Sequence, residues 1–314
     1  MDNRKPFKTI SEQIDILESR NLIIEDRKFA ERFLLRNNYY SLVNGYKEFF
    51  LDPNKTNENV EVFRDGTTFQ HLTSLYTFDT VLRFSMMHCL TTAEQALKTA
   101  TVHAFCSKYH GTDDYLDPSS YCPRKLYSGR NYTSNLIRLL SILQSIRDGR
   151  GEQRPYIKHY REKHGEVPLW VAANALTFGN MSHFYDLQRI EVQNETCHLI
   201  CKSIGAKTIS ARRLKDIYST LTTFRNICAH GGRLFCATAG KRSDKSFGDM
   251  LMDLSIVSEP FETQLAIAAV KTDLETINKI EGLKPLVEEK MGLYKKNVAE
   301  FLQRNTEEGK KVDA

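Results

Sequence analysis

The stretch FQHLTSLYTFDTVLRFSMMHCLTTAEQALKTATVHAF, Phe69 to Phe105, decides the fold class. Phe69, Leu72, Tyr76, Leu82, Met86, Leu90, Ala93, Leu97 and Ala100 recur at spacings close to three and four, which gathers them on one stripe of an α-helix. Thr67 is the predicted cap, and a helix reaching Phe105 would be roughly 57 Å long at 1.5 Å per residue.

Upstream, Thr9 and Glu12 form a Thr-x-x-Glu capping box for a helix ending near Arg20, and Asp26 caps a second through Ala30, Phe33, Leu34 and Leu35. The aromatic segment NNYYSLVNGYKEFF and a polar linker, Asp52 to Asn59, close an N-terminal helical unit of residues 1–60. Downstream, a loop rich in Gly, Asp, Pro and Ser runs from Tyr109 to Tyr132, and helices are predicted near 133–147, 153–164, 168–190, 193–204 and 209–229. Gly165 ends one of these, and Pro168 suits the first helical position of the next. Residues 61–236 thus read as a helical core with a basic insertion at 109–165. Helices follow at 247–305, with Pro260 and Pro285 marking starts, and a tail at 306–314 is expected to fray.

Sixteen Gly and eight Pro in 314 residues are too few for a many-turned β sandwich or barrel, and no hairpin signal of useful length is present. The expected fold class is all-α. The longest apolar run, Leu265 to Val270, is too short to span a bilayer, so no membrane partner is expected. The opening MDNRKPFKTISEQ has no apolar core after its charges and does not read as a signal peptide. Seven scattered Cys without a CxxC pair suggest neither a disulfide framework nor a zinc ribbon, which points to the reducing cytosol. Cys197 and Cys201 lie one helical turn apart, but two ligands rarely make a metal site, and no metal or cofactor is expected.

The net charge of +5 is unevenly placed. Between Ser120 and Gly165, ten bases (Arg124, Lys125, Arg130, Arg138, Arg147, Arg150, Arg154, Lys158, Arg161 and Lys163) face three acids, Asp148, Glu152 and Glu162. Tyr121, Tyr127, Tyr132, Tyr156 and Tyr160 are interleaved with them, the composition of a surface that holds phosphates and stacks on unpaired bases. A second basic stretch, Lys202 to Arg233, contains Lys207 and six further bases against Asp216 alone. Either these are solvated helix faces with counter-charges elsewhere in the fold, or they receive an acidic partner, RNA or DNA ahead of a membrane.

Thr222 to Phe235, TTFRNICAHGGRLF, gathers Arg225, Asn226, His230 and Arg233 within nine residues. His230 followed by two glycines reads as a helix C-terminus, with Gly231 left-handed. Asn226 and His230 are four apart and align, so the amide is placed to orient the imidazole, whereas Arg225 flanks the same edge. A helix C-terminus favours a cation, which suits a general acid in phosphodiester cleavage beside an arginine that stabilises phosphorane charge. The Arg-x4-His spacing recurs as Arg83 to His88 and Arg154 to His159. Asp79 is a ready salt-bridge partner for Arg83, which Phe84 follows within the apolar stripe; Arg154 and His159 lie in the basic stretch and suit phosphate binding. The structural alternative for His230 is a helix cap satisfied by backbone.

These residues also carry a resemblance. RNICAHGGRLF resembles the Arg-Asn-x-x-Ala-His-x-x-Arg-Leu-Phe signature of the abortive-infection AbiD/AbiF family, a branch of the HEPN superfamily. KTISEQIDILESRNLIIEDRKFAERFLLRNNYYSLVNGYKEFF is similar to that family's opening block, FQHLTSLYTFDTVLRF to its Leu-Tyr-x-Phe-Asp-x-x-Leu-Arg block, and VPLWVAANALTFGNMSHFY to its Leu-Trp-Val and Thr-Phe-Gly block. Together they cover roughly residues 8 to 236 in order. The resemblance implies a HEPN-like helical bundle with helical additions at both ends, acting as an antiphage abortive-infection toxin. It further implies a metal-independent endoribonuclease with Arg225 and His230 catalytic, Asn226 supporting them, and Glu94 placed to pair with Arg225 across the bundle. One motif per chain implies a homodimer with the site at its two-fold interface. Attack of the RNA 2′-OH on the adjacent phosphate would leave a 2′,3′-cyclic phosphate. A small structured RNA is expected to restrain the toxin, held by the basic stretch together with His159 and Arg233. Gly231 stands where the family motif often has a second His, and Gly232 replaces the Tyr of the modifiable His-x-Tyr type. Two rival readings are a non-catalytic RNA-binding sensor and a helical scaffold that only dimerises.

Overall fold

In the computed structural model, which describes residues 6–58, 60–150, 154–205, 208–240 and 242–312, capping chemistry sets most of the helix starts. Asn59, Glu152, Lys207 and the last two residues of the predicted tail lie outside the described residues. Thirteen α-helices are found among those described: α1 (Ile10–Ser19), α2 (Arg27–Arg36), α3 (Phe69–Lys108), α4 (Tyr132–Asp148), α5 (Pro155–His164), α6 (Leu169–Ala172), α7 (Phe178–Asp186), α8 (Ile190–Ile204), α9 (Ala211–Ala229), α10 (Phe247–Ser255), α11 (Pro260–Glu275), α12 (Leu283–Met291) and α13 (Lys296–Val312). Isolated β-bridges are the sole extended pairing among the described residues, and the fold is all-α. No helix among them is long and apolar enough to cross a membrane.

Thr9 and Glu12 form the expected box on α1, and the Asp26 carboxylate accepts from the Phe29 amide at 2.9 Å to start α2. The long helix starts one residue later than predicted. Thr68, not Thr67, caps α3, because the His71 ring accepts from the Thr68 amide at 3.1 Å and completes a reciprocal box. The expected helix over 168–190 is broken. After α6 a 3-10 turn, Ala173–Ala175, intervenes, and Thr177 caps the new helix α7 by accepting from the Asn180 amide at 3.1 Å. The aromatic segment of the N-terminal unit folds as a π-helical turn, Tyr40–Asn44, followed by a 3-10 turn, Lys47–Phe49. Helix α13 spans Lys296–Val312.

The stripe read from the sequence is the spine of the molecule. Phe69, Leu72, Leu82, Met86, Leu90, Ala93 and Leu97 are buried, and α3 packs chiefly against α8, α9 and α11. Phe84 departs from the expectation, pointing outward at 83% exposure. One contiguous hydrophobic core runs from Ile14 to Val298. Cys197 belongs to it, with its Sγ 3.6 Å from the Tyr185 hydroxyl, and Cys201 is also buried.

Helices α3 and α9 pair antiparallel. Tyr218, early in α9, donates to the Leu97 carbonyl at 2.9 Å and meets Thr101 at 2.7 Å, whereas the segment after α9 reaches back to Asp79. This pairing carries the C-terminal end of α9 along the middle of the spine.

Candidate active site

Helix α9 ends as the glycine pair dictates. His230 is the cap residue, its amide bonding the Asn226 carbonyl at 3.0 Å, and Gly231 turns left-handed at φ 70°. Gly232 then donates to the Ile227 carbonyl at 3.0 Å, closing a Schellman motif. A side chain at Gly232 would meet Ile227 Cγ2 at 3.1 Å, so that position is sterically tight as well.

Arg225, one turn before the cap, is held from across the bundle. Its Nε donates to Glu94 Oε2 at 2.9 Å and its Nη2 to Glu94 Oε1 at 3.2 Å, a two-point clasp that fixes the guanidinium plane. Glu94 is 7% exposed, and Arg225 keeps a fifth of its side chain in solvent. Nη1 donates to Asn226 Oδ1 at 3.2 Å. Three of the five guanidinium N–H donors are thereby engaged, leaving two for an anion.

The Asn226 side-chain oxygen, Oδ1, therefore serves Arg225, and the sequence-based pairing of Asn226 with the imidazole is not formed. The His230 side chain is exposed, and its ring has no hydrogen-bond partner among the described residues. The imidazole sits on the cap residue, whose backbone has left the helical angles at φ −104° and ψ 9°.

Lys98 lies on the other side of Glu94. Its Nζ is 3.8 Å from Glu94 Oε1 and donates to the Leu176 carbonyl at 3.0 Å, at the break between α6 and α7. Burial pushes the Lys98 ammonium below its ordinary range; Glu94 pulls it back up, and the charges of Arg154 and Arg225 push it further down. One carboxylate thus neutralises two cations.

Sequence reasoning missed the node that anchors the segment after the motif. Asp79 is fully buried on α3. Its Oδ1 accepts the Leu234 and Phe235 amides at 3.0 and 2.9 Å, and its Oδ2 accepts the Tyr46 hydroxyl at 2.7 Å and Arg83 Nη1 at 2.6 Å. Arg83 Nη1 also donates to the Gly232 carbonyl at 3.1 Å. Burial raises the Asp79 carboxyl above its ordinary value, while the Tyr46 hydroxyl, the two amides and the Arg83 charge pull against it. Asp79 falls in register on the α3 stripe between Leu75 and Leu82. A carboxylate at a core position, four residues before an arginine, was the available signal.

Arg233, grouped with phosphate binding by its sequence, faces the N-terminal unit. Its guanidinium pairs with Glu48, donates to the Gly45 carbonyl at 2.8 Å, and lies 5.6 Å from the Phe49 ring centroid. Phe49 and Tyr46 in turn pack on Phe235, at ring-centroid distances of 5.1 and 6.3 Å.

The basic stretch divides in two. Arg124, Lys125 and Arg130 lie in the loop before α4. That loop docks near the start of α9, where the Tyr127 hydroxyl bonds Asp186 at 2.6 Å and Lys215 lies 5.4 Å from the Tyr127 ring centroid. Arg147 lies at the end of α4, Arg150 just after it, Arg154 at the cap of α5, and Lys158, His159, Arg161 and Lys163 within α5. Within the second group, Arg147 bonds Asp113 at 3.0 Å and Asp148 at 2.9 Å, Arg150 bonds Asp148 at 2.7 Å, and Arg161 donates to the Arg147 carbonyl at 3.2 Å. Lys158 lies 3.8 Å from Glu162. Lys125, Arg130, Arg138, Arg154 and Lys163 are exposed with no ion pair found among the described residues. The interleaved tyrosines are mostly structural. Tyr121 is fully buried and donates to the Tyr115 carbonyl, and Tyr132 donates to the Cys122 carbonyl. Tyr156 is 44% exposed.

The family model described as Abi-like protein matches residues 32–236. The chain belongs to the Abi-like protein family. The matched range runs from α2 through the whole Arg225–Phe235 segment and takes in Tyr46, Asp79, Glu94 and Lys98. No curated protein and no solved structure matches the chain. In this Abi-like protein the N-terminal aromatic block, the Asp79 block and the Arg-Leu-Phe end of the motif, far apart in sequence, converge on one buried carboxylate.

Proposed function

We propose that this Abi-like protein is an abortive-infection toxin of HEPN type, a metal-independent endoribonuclease that acts in the cytoplasm as a homodimer. The observation that carries the reading is the pairing of a clasped, partly exposed Arg225 with an exposed His230 whose ring is uncommitted, on consecutive turns at the end of α9.

The chemistry follows from this pair. In-line attack by a ribose 2′-oxygen forms the 2′-O–P bond as the P–O5′ bond breaks, giving a 2′,3′-cyclic phosphate and a 5′-hydroxyl. One imidazole takes the 2′-OH proton, and a second, on the far side of phosphorus, delivers a proton to the leaving 5′-oxygen. Each chain offers one such imidazole at this site, so two chains complete it. The unengaged Arg225 donors meet the charge that grows on the non-bridging oxygens, and the Glu94 clasp holds them in place before reaction. Asn226 fixes Nη1 rather than the imidazole.

The exposed cations of α4 and α5, with Arg154 foremost, support the further reading that RNA is held beside this site and that a small structured RNA restrains the enzyme. The test is RNA cleavage by purified protein in EDTA, with end-group analysis of the products. Cyclic-phosphate ends from the wild-type chain, and none from His230→Ala or Arg225→Ala, are expected. Full activity in both variants overturns the assignment. Loss of cleavage with RNA binding intact in the wild-type chain would favour the non-catalytic sensor.

A further inference from the structure

The chain holds a single tryptophan, and it lies outside the core. Trp170, in the first turn of α6, is 57% exposed. Its indole lines a groove of about 370 Å³ between α6 and α3, together with Gln95, Lys98, Thr99, His103 and Asn174. That volume falls within the range of small-ligand sites. Lys98 is 8% exposed, and with Leu176 and Glu94 as its partners it has a third N–H donor to spare. Across the 3-10 turn Ala173–Ala175, a second groove of about 410 Å³ is lined by Arg150 and Arg154. No acidic side chain lines either groove among the described residues. Lys98 is one helical turn from Glu94, about 6 Å along α3, so the groove opens beside the carboxylate that clasps Arg225.

We infer that the groove between α3 and α6 is a nucleobase pocket for single-stranded RNA, in which a base stacks on Trp170 while flanking phosphates rest on Lys98 and Arg154. An exposed indole face accepts any unstacked base, whereas bases in a duplex keep their faces covered, so the pocket selects unpaired strand. Gln95, Thr99 and Asn174 supply polar atoms at the rim. The ribonuclease reading enters at one point, the identity of the strand as the substrate of the Arg225 site.

The uncleaving His230→Ala chain is titrated with a short single-stranded oligoadenylate, following tryptophan emission and, with a labelled copy, anisotropy. Trp170 is the sole source of that emission. Quenching in step with the rise in anisotropy is expected. Trp170→Ala should weaken binding roughly 5- to 150-fold, the range that about 1–3 kcal/mol of stacking gives at 1.4 kcal/mol per decade, and Trp170→Phe should restore most of it. Three results overturn the pocket: binding without any change in emission, equal affinity in the Ala and Phe variants, or no binding of the oligonucleotide. The two readings separate cleanly. Quenching by a chain whose wild-type form cuts no RNA keeps the pocket and removes the nuclease; cleavage with an unchanged KM in Trp170→Ala keeps the nuclease and removes the pocket.

Discussion

Replacing Asp79 by Asn tests whether the buried carboxylate holds the segment after α9 in place. The wild-type side chain receives two backbone amides on Oδ1 and the Tyr46 hydroxyl and Arg83 on Oδ2. In Asp79→Asn the amide oxygen can keep the Leu234 and Phe235 amides. The Tyr46 hydroxyl can turn and accept from the new N–H. Arg83 has no such option: its Nη1 would face another donor, with the guanidinium 11% exposed and no counter-charge. Removing one partner of a buried pair costs about 3–5 kcal/mol, chiefly because the other charge is stranded. Arg83 keeps the Gly232 carbonyl and Thr80, so the low end, about 3 kcal/mol, is expected. At about 2 °C per kcal/mol in a chain of this size, the melting temperature falls by roughly 6 °C. Adding Arg83→Met removes the stranded charge, so the double variant should lose less than the two single variants combined. Thermal unfolding of the four proteins reads this out. A loss below about 1 kcal/mol in Asp79→Asn, or strict additivity in the cycle, refutes the reasoning.

Four further perturbations address the site, its cap and the basic stretch. Glu94→Gln keeps one acceptor for Arg225 but leaves Arg225 and Lys98 without their shared negative charge; RNA cleavage should fall by about 10²-fold, as when a preorganised charge-stabilising donor is lost, while circular dichroism stays helical. Gly231→Ala meets open space but imposes φ 70° on a residue with a Cβ, so about 1–2 kcal/mol of stability and most cleavage should be lost. Gly165→Ala, at φ 77° and equally open, should lose similar stability and keep its cleavage rate; equal activity in the two would detach the α9 cap from function. Reversing Arg150, Arg154 and Lys158 to Glu should weaken single-stranded RNA binding and flatten its salt dependence by about 0.7 in log–log slope per lost phosphate contact; an unchanged slope places RNA elsewhere.

The spine helix, the two N-terminal caps and the glycine-pair ending of α9 were legible because each rests on local rules: the 3.6-residue period, an oxygen that accepts orphan amides, and φ above zero at a residue without a Cβ. The break inside 168–190 was not, since it depends on Lys98 reaching a carbonyl 78 residues away as well as on the local Thr177 cap. The tyrosines of the basic stretch misled for the same reason. Composition places them beside arginines, but tertiary packing buries Tyr121 and ties Tyr127 to Asp186. The ion partner of Arg233, grouped with RNA binding in the sequence, was not legible because Glu48 is 185 positions distant in the chain.

Asp79 explains why an N-terminal aromatic block belongs with the Arg225–Phe235 segment at all. A helix C-terminus followed by two glycines is floppy on its own, since Gly231 and Gly232 restrict the backbone least. The chain after them is captured by a carboxylate with acceptors in two directions, one pair of bonds to the Leu234 and Phe235 amides and one to Tyr46 and Arg83. Tyr46 arrives from the N-terminal unit, and Arg233 ties back to that unit through Gly45 and Glu48. His230 therefore stands between two fixed points, the Arg225–Glu94 clasp before it and the Asp79 node after it. A ring that is exposed and free of partners among the described residues is still held by its backbone, which the proposed proton-transfer role requires.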